Sequence, residues 1–547
     1  FHIDKLKGHY QSLLKQELSS VEIIRHFLKD TGIKAQVSGL AALAEIPKDR
    51  PVIFVANHPL GFLDGLLLVD LLADRCENFK IMADKILSSF AEMNDIMIPV
   101  ESYNRKHSSS SGNIKAVRHA LKHLEAQGSL AVFPSGSVSH FKMKDRKIND
   151  DNWHPAIAKL ARKSGATVVP IYFSGKNSLS FHLMNLIHPM ASNLLLPKEA
   201  FTSSKKELRI HIGKAINARE ISKISDDEQL ARFLRLRCYL LKTDKKEQCK
   251  EIVKDKTQDS YAGVIPAIPS LALAKDILAL KDERKLLDFK DFTVYYASWD
   301  ELPNIRQEIG RLREISFRDV GEGTGESIDL DEFDRHYKQL FIWNNKEQEI
   351  VGAYRFGEVR KIIEEQGING LYTNRFYKFS KPALEKFKCG LELGRSFVRK
   401  EYQRSPYSLM LLWKGICEYV YRNDDCYYLF GAVSISDNYD DRSRYLMAQL
   451  LHEHGSEIKA RRHYRPHFKP EKEIKSICHN YHCDELNELS SLIRSVEKDG
   501  KDIPVLIKQY HKMGGRLTAF TVDKDFGSTL DGLISVDLRK TEWSHLA

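Results

Sequence analysis

Five residues separate a histidine from an aspartate, His58 and Asp64, in the run Val52-Ile-Phe-Val-Ala-Asn57-His58-Pro59-Leu60-Gly61-Phe62-Leu63-Asp64-Gly65. An apolar strand leads into the pair, a Pro/Gly turn lies between its members, and an apolar helix follows. Such a turn brings both side chains together. A carboxylate on one ring nitrogen fixes the tautomer and leaves the other nitrogen to take a proton from a hydroxyl. No Ser or Cys nucleophile is then required, because the acceptor brings its own hydroxyl. Taken alone, the pair also fits a loop held by one hydrogen bond.

What lies downstream decides between these readings. Leu130-Ala-Val-Phe133-Pro134-Ser135-Gly136-Ser137 is a strand running into a turn of small polar residues, and Val168-Val169-Pro170-Ile171 is a strand with an internal proline. In order and spacing, residues 20–215 resemble the glycerolipid O-acyltransferases of the lysophosphatidic-acid type. The resemblance implies that His58 is the base, that Asp64 orients it, and that Asn57, Gly61, Phe133, Pro134, Ser135, Gly136 and Ser137 surround the acceptor. Arg105 either takes the role of the family's acceptor-binding arginine or is an exposed loop cation. Two departures stand out: the family leaves four residues between His and Asp, and it carries Glu and Thr where this chain has Ser135 and Ser137. Loss of that charge implies an acceptor headgroup other than glycerol phosphate.

A second constellation lies in the other half. Leu312-Arg313, Asp331-Glu332-Phe333-Asp334, Glu392-Leu393-Gly394-Arg395 and Phe430-Gly431-Ala432-Val433-Ser434 resemble the ornithine-lipid N-acyltransferases and, more distantly, the acyl-homoserine-lactone synthases, on a GNAT-type fold. Acylating an amine requires its neutral form, so a carboxylate must accept its proton, and Glu392 is the candidate. Asp331 and Asp334 suit the acceptor's ammonium, and Arg313 and Arg395 its carboxylate. The Asp-Glu-Phe-Asp string also fits a helix start capped by acids. Where the wider fold cradles coenzyme A pyrophosphate on a glycine-rich turn, this chain reads Arg404-Ser405-Pro406-Tyr407-Ser408-Leu409. An acyl-carrier-protein thioester is therefore the expected donor, ahead of acyl-coenzyme A.

Together these resemblances imply a bifunctional aminolipid synthase. The C-terminal domain N-acylates ornithine, glycine or a similar amino acid with a 3-hydroxyacyl group, and the N-terminal domain O-acylates the new hydroxyl. The rival readings are a lysophospholipid acyltransferase with an accessory GNAT-like domain, and a non-catalytic module that binds carrier protein or lipid. Neither step needs a metal or redox cofactor. The cluster Cys478, His479, His482 and Cys483 lacks the paired, separated knuckles of a zinc site.

The elements that must position these residues alternate as strands and helices, an α/β pattern. Strands are expected at 51–56, 129–133, 167–173 and 208–213, then at 292–297, 339–343, 350–356 and 427–431. Helices are expected at 63–73, 114–126, 153–164, 271–287, 305–317 and 407–421. An amphipathic stretch over Lys5–Lys29 either covers its own domain or faces a membrane. The expected organisation is a glycerolipid-acyltransferase-like α/β domain over 1–215, a helical charged connector over 216–290, and a GNAT-like α/β domain over 291–547.

A chain of 547 residues with 42% hydrophobic and 29% charged residues builds more than one core. Its longest apolar runs are too short to span a bilayer, its first residues show no signal-peptide core, and its eight cysteines form no disulfide framework. A cytoplasmic chain, peripheral on the inner face of the cell membrane, is the expectation. The formal charge of +10 suits an acidic carrier protein or an anionic lipid surface. The run Arg461-Arg462-His463-Tyr464-Arg465 faces either of these or water, and no motif for reading nucleic acid is present.

Overall fold

Val52-Ile-Phe-Val-Ala is an unbroken apolar run because both of its faces are covered. All five residues are buried in strand β2 (Val52–Ala56) at the centre of a parallel sheet. The computed structural model describes residues 18–46, 49–76, 78–85, 93–101, 110–142, 147–187, 195–196, 199, 208–242, 261–423, 425–452, 457–466, 472–479, 481, 483, 485–523 and 528–541. The chain divides into two compact units, 1–247 with 471–482 and 248–470 with 483–547. Both are α/β.

The first unit adds β1 (Ala35–Ser38), β3 (Phe79–Asp84), β4 (Met97–Val100), β5 (Ser129–Val132), a small hairpin of β6 (His140–Lys142) and β7 (Lys147–Asn149), β8 (Thr167–Ser174) and β9 (Leu208–Ile212). The main sheet runs β1-β9-β8-β2-β5-β3-β4, parallel throughout except where β8 meets β9. Its helices include α1 (Ser20–Asp30), α2 (Phe62–Leu72), α3 (Ser110–Glu125), α4 (Ala156–Ser164), α5 (Leu179–Ile187) and α6 (Asp227–Tyr239). The segments after β2, β5 and β8 all leave from the carboxyl edge, where open parallel sheets leave a crevice for ligands.

Of the amphipathic stretch, α1 starts on a Ser19/Glu22 capping box and buries Ile23, Ile24 and Leu28. It packs on α2, with Arg25 reaching Asp70 at 3.1 Å, so it covers its own domain. Residues 1–17 lie outside the described residues.

The second unit holds β10 (Lys285–Phe289), β11 (Phe292–Ser298), β12 (Lys338–Asn344), β13 (Glu349–Glu358), β15 (Gly390–Val398), β16 (Tyr428–Ile435), β18 (Arg516–Asp523) and β19 (Thr529–Asp537), with β14 (Tyr377–Phe379) and β17 (Ile458–Ala460) paired apart. The eight-stranded order is β10-β11-β12-β13-β15-β16-β19-β18, and all pairs are antiparallel except β15 with β16. Its helices include α7 (Ser270–Ala279), α8 (Ile305–Arg318), α9 (Val359–Gln366) and α10 (Pro406–Tyr421).

The one parallel pair defines the unit. β15 and β16 are matched only from Gly390–Leu393 to Tyr428–Gly431. Beyond that, β15 continues along β13 and β16 along β19, so the two strands part and open a wedge in the sheet.

One expectation is corrected. The helix expected over 271–287 stops at Ala279, because Lys285–Phe289 pairs with β11 as the sheet's edge strand; cross-strand pairing overrides local helical pattern. Within the segment expected as a helical connector over 216–290, α6 is buried along most of its length and falls in the first unit, while α7 and β10 fall in the second. Most of the charged run Lys242–Lys256 lies outside the described residues.

A Cβ on Gly431 would fall 2.1 Å from the Leu393 carbonyl oxygen, whereas one on Gly394 meets nothing within 4 Å. Gly431→Ala is therefore expected to lower stability by about 1–3 kcal/mol in urea unfolding, with Gly394→Ala near parental. Equal effects would show that strand contact at the wedge is not what excludes a side chain.

Candidate active sites

His58 leaves the carboxyl end of β2, and the turn to α2 folds its ring onto Asp64. Gly61 makes the turn with φ of 73°, a region open to glycine. His58 Nδ1 lies 3.0 Å from Asp64 Oδ2, which also accepts the backbone N–H groups of Leu60 at 2.8 Å and Gly61 at 3.0 Å. Asp64 is wholly buried while His58 is 17% exposed, so one ring edge faces inward and the other outward. Burial raises the Asp64 carboxyl above its ordinary value, and the His58 and amide hydrogen bonds pull it back toward the ionised form. The imidazole stacks on Phe133 with ring centroids 4.0 Å apart, which fixes its plane.

The other expected residues of this unit divide by role. Asn57 clamps β2 to β8, donating to the Phe173 carbonyl at 2.9 Å and accepting its N–H at 2.7 Å. Ser135 donates to the Ser137 carbonyl at 2.8 Å, and Ser137 to Asp151 at 2.7 Å. Lys142 lies 3.1 Å from Asp151. Burial alone would raise the Asp151 carboxyl, but the Ser137 hydroxyl and Lys142 hold it low. Pro134 and Gly136 shape that turn; Gly136 adopts φ of 65° and Pro134 accepts the His154 N–H at 2.9 Å. Arg105 lies outside the described residues.

Sequence reasoning missed Asp150. Its carboxylate is fully buried and accepts the His58 backbone N–H at 3.3 Å, the Trp153 indole N–H at 3.4 Å and the Ser139 hydroxyl. Ser139 N–H in turn donates to the His58 carbonyl at 2.8 Å. The backbone of His58 is thus held from both sides by one loop. An acid in a polar Asn-Asp-Asp run carried no signal for this.

In the second unit the expected residues do come together, though not as expected. Arg313 and Asp334 are both wholly buried and paired, with Arg313 nitrogens 3.0 and 3.1 Å from the Asp334 oxygens; the Asp329 carbonyl and Gln339 also accept from the terminal nitrogens of Arg313. They satisfy each other. Asp334 and Arg313, expected to take an acceptor's ammonium and carboxylate, bond each other in the floor of the site. Burial disfavours the charge on Asp334, yet Arg313 and Arg355 hold its pKa well below the usual carboxylate range.

Above that floor, Arg355 bonds Asp331 and Asp334, and Arg395 pairs with Asp329 at 3.2 Å and Asp331 at 3.7 Å. The guanidiniums of Arg355 and Arg395 lie 5.0 and 5.3 Å from the Tyr372 ring centre. Arg395 adopts φ of 48° where the β13–β15 register shifts, so the strand bulges at the wedge. Glu392 accepts the Tyr337 hydroxyl at 2.5 Å and the Thr373 N–H at 2.6 Å, and burial raises its pKa. Asp331 also caps a short helical turn by accepting the Phe333 N–H.

Arg355, Tyr337 and Tyr372 were not foreseen, although a lone arginine inside the apolar strand Ile350–Phe356 was a usable signal. Two further acids were missed: burial and neighbouring carboxylates push Glu322 up to about 7 and Asp531 to about 8. Of the basic run, Arg461 is engaged with Asn374 at 2.7 and 2.9 Å. Among the described residues no group of three or more His, Cys, Asp or Glu is placed to hold a metal. None of their helices is long and apolar enough to cross a membrane.

A buried Asp holding a half-open His at a sheet's carboxyl edge in one unit, and a splayed GNAT-like sheet in the other, define a two-domain acyltransferase. A family model described as acyltransferase matches residues 8–247, and one described as an acetyltransferase (GNAT) domain matches 312–414. A glycine N(alpha)-acyltransferase of Phocaeicola vulgatus is 31% identical over 274 residues, covering 47% of this chain and 83% of that protein. A lyso-glycine lipid O-acyltransferase of the same organism is 26% identical over 235 residues, covering 39% and 81%. Among solved structures, the AHL synthase LasI matches at 16% identity and a TM-score of 0.20, covering 26% of this chain and 72% of that one, too slight a likeness to carry argument. The chain belongs to the acyltransferase family of these relatives: a glycerolipid-acyltransferase-like domain followed by a GNAT-like domain, homologous to the glycine-lipid N- and O-acyltransferases.

Asp150→Ala is expected to lower turnover of the first domain roughly 100-fold through misplacement of His58, with donor KM unchanged and partial recovery in Asp150→Asn. Arg313→Met strands a buried carboxylate and is expected to cost about 3–5 kcal/mol in denaturant unfolding. Because the folded pKa of Asp334 is depressed, its stabilisation is present above the ordinary aspartate range and is lost as pH falls through the folded value. Acid should therefore unfold the parent more steeply than Arg313→Met.

Proposed function

We propose that the chain builds a membrane lipid from an amino acid in two acyl transfers. The second domain joins a 3-hydroxyacyl group to the amine, and the first esterifies the 3-hydroxyl. One observation carries this reading: a single chain unites homologues of a glycine N(alpha)-acyltransferase and of a lyso-glycine lipid O-acyltransferase. Those relatives favour glycine over ornithine as headgroup.

In the first domain, Asp64 as carboxylate takes the Nδ1–H of His58, which leaves Nε2 as the base. The acceptor hydroxyl loses its proton to Nε2 as its oxygen bonds the thioester carbonyl carbon. The C–S bond then breaks, and the proton passes from His58 to the departing sulfur. Phe133 keeps the ring in plane. Ser135 and Ser137 lead to the Asp151 carboxylate, so a phosphorylated headgroup in that turn would meet a like charge, whereas an uncharged one does not. That favours the aminolipid over the lysophospholipid reading.

In the second domain, Glu392 is the proton acceptor for the amine, acting through Tyr337 or a water, and its raised pKa suits that task. Asp331 and Arg395, nearest the wedge, take the acceptor's ammonium and carboxylate. The donor is a carrier-protein thioester. Helix α10 begins with Pro406, which lacks an N–H, and Ser405 occupies the Tyr407 N–H, leaving a poor cradle for pyrophosphate. The first domain works at a lipid surface, in keeping with Leu179, Leu183 and Met184 exposed along α5.

The test is mass spectrometry of lipids from a non-producing bacterial host. The parent should yield diacylated aminolipid, His58→Ala the monoacylated amino acid, and Glu392→Ala neither. A folded parent that makes no aminolipid and consumes lysophospholipid instead would overturn the proposal.

A further inference from the structure

Two polar side chains in the first unit are buried with hydrogen-bonding capacity unused among the described residues. Asn177 and His182 are each 4% exposed; among the described residues the Asn177 amide atoms have no hydrogen-bond partner, and the His182 ring has no side-chain partner, only the Asn177 backbone beside it. Leaving such groups unpaired is destabilising. Native proteins rarely retain them without a use.

Their location connects them to His58. Asn177 lies in the segment leaving β8 at the sheet's carboxyl edge, and a Cβ on Gly175 would touch the Leu60 side chain at 3.2 Å. That segment therefore abuts the turn between His58 and Asp64. His182 lies on α5, which packs against β6. β6 begins at His140, adjacent to the Ser139 whose N–H bonds the His58 carbonyl. A Cβ on Gly61 would meet the Val138 side chain at 3.1 Å, which closes the loop around the same spot.

We propose that Asn177 and His182 form the subsite that reads the secondary amide of the O-acylation acceptor. This inference rests on the function proposed above. An N-(3-hydroxyacyl) amino acid carries its amide two carbons from the reacting hydroxyl, a separation of about 4–5 Å along the chain. Groups that recognise the amide must therefore come from segments that border the His58 turn, as the one carrying Asn177 does at Leu60. A carboxamide and a neutral imidazole each offer one donor and one acceptor to a C=O and an N–H. Burial lowers the His182 pKa, with His140 adding to it and Glu199 and the Asn177 backbone opposing, so the balance favours the neutral ring. A neutral subsite suits an amide and does not suit a phosphate. It also gives the first domain a means of telling its acceptor from a lysophospholipid, whose linkage is an ester with no N–H.

The experiment uses the purified full chain with an acyl-carrier-protein thioester and two acceptors: N-(3-hydroxyacyl)glycine, and the analogue in which an ester oxygen replaces the amide N–H. The parent should favour the amide by at least about 10-fold in kcat/KM, the effect of one buried hydrogen bond. In Asn177→Leu and His182→Leu that preference should fall to about 2-fold or less with donor KM unchanged, while His182→Gln, which keeps a donor and an acceptor, should retain most of it. A parent that esterifies both acceptors equally, or folded leucine variants with the parental preference, would overturn the subsite and leave the function standing. A parent that esterifies lysophosphatidic acid but neither amino-acid acceptor would overturn both. If the leucine variants fail to fold, His182→Gln decides: loss of the preference refutes the assignment and retention supports it.

Discussion

A carboxylate taken out of water must be surrounded by donors, and in both units that requirement builds the site. Asp64 loses all contact with solvent and recovers it through two backbone N–H groups and one imidazole. The amides come from the turn that also delivers His58, so the geometry that satisfies the acid is the geometry that orients the base. Asp150 repeats the device one layer away, gathering the His58 N–H, Ser139 and Trp153. In the second unit Asp334 collects Arg313, Gln339 and Arg355. None of these acids could be replaced by an apolar residue without releasing the loops it ties.

The two sites use this economy differently. The first leaves one ring edge of a single histidine open, in keeping with a reaction whose nucleophile arrives on the substrate. The second submerges three arginines and four acids beneath tyrosines and exposes little of any. Only Arg395 and Asp331, at the bulge where β15 leaves β16, keep part of their surface free. A network so deeply paired is costly to assemble and stiff once formed. Its value lies in fixing the wedge, into which backbone from both parted strands faces.

Much of this was legible in the sequence where one local pattern dictates one local shape. The all-apolar run at β2, the Pro/Gly turn and the leucine-rich helix each admit a single reading, and His58 and Asp64 are six residues apart. Relations across the chain were not legible. That Lys285–Phe289 is an edge strand depends on β11, and that Arg313 is consumed by Asp334 depends on burial no spacing reveals. Asp150 acts on His58 across 92 residues. Asn177 and His182 are ordinary residues until the fold buries both. Family resemblance supplied the second unit's residue types, but only the structure sorted those that face the wedge from those beneath it.

The proposed order of reactions gives the change of Glu to Ser at position 135 a physical sense. An acceptor that is itself the product of amide formation presents a hydroxyl, an amide and a terminal carboxylate, with its only full charge at the far end. A site near the hydroxyl gains nothing from ionic recognition there, and a charged clamp would have to be desolvated on every turnover. Short hydroxyls that bond back to their own loop, as Ser135 does to Ser137, cost little to leave in place. Discrimination then falls to neutral hydrogen-bonding groups, which reject a wrong acceptor by being left unpaired rather than by repelling it. Two acyl transfers in one chain thus need different electrostatics: dense ion pairing where an amine must be deprotonated, and a nearly neutral cleft where a hydroxyl is esterified.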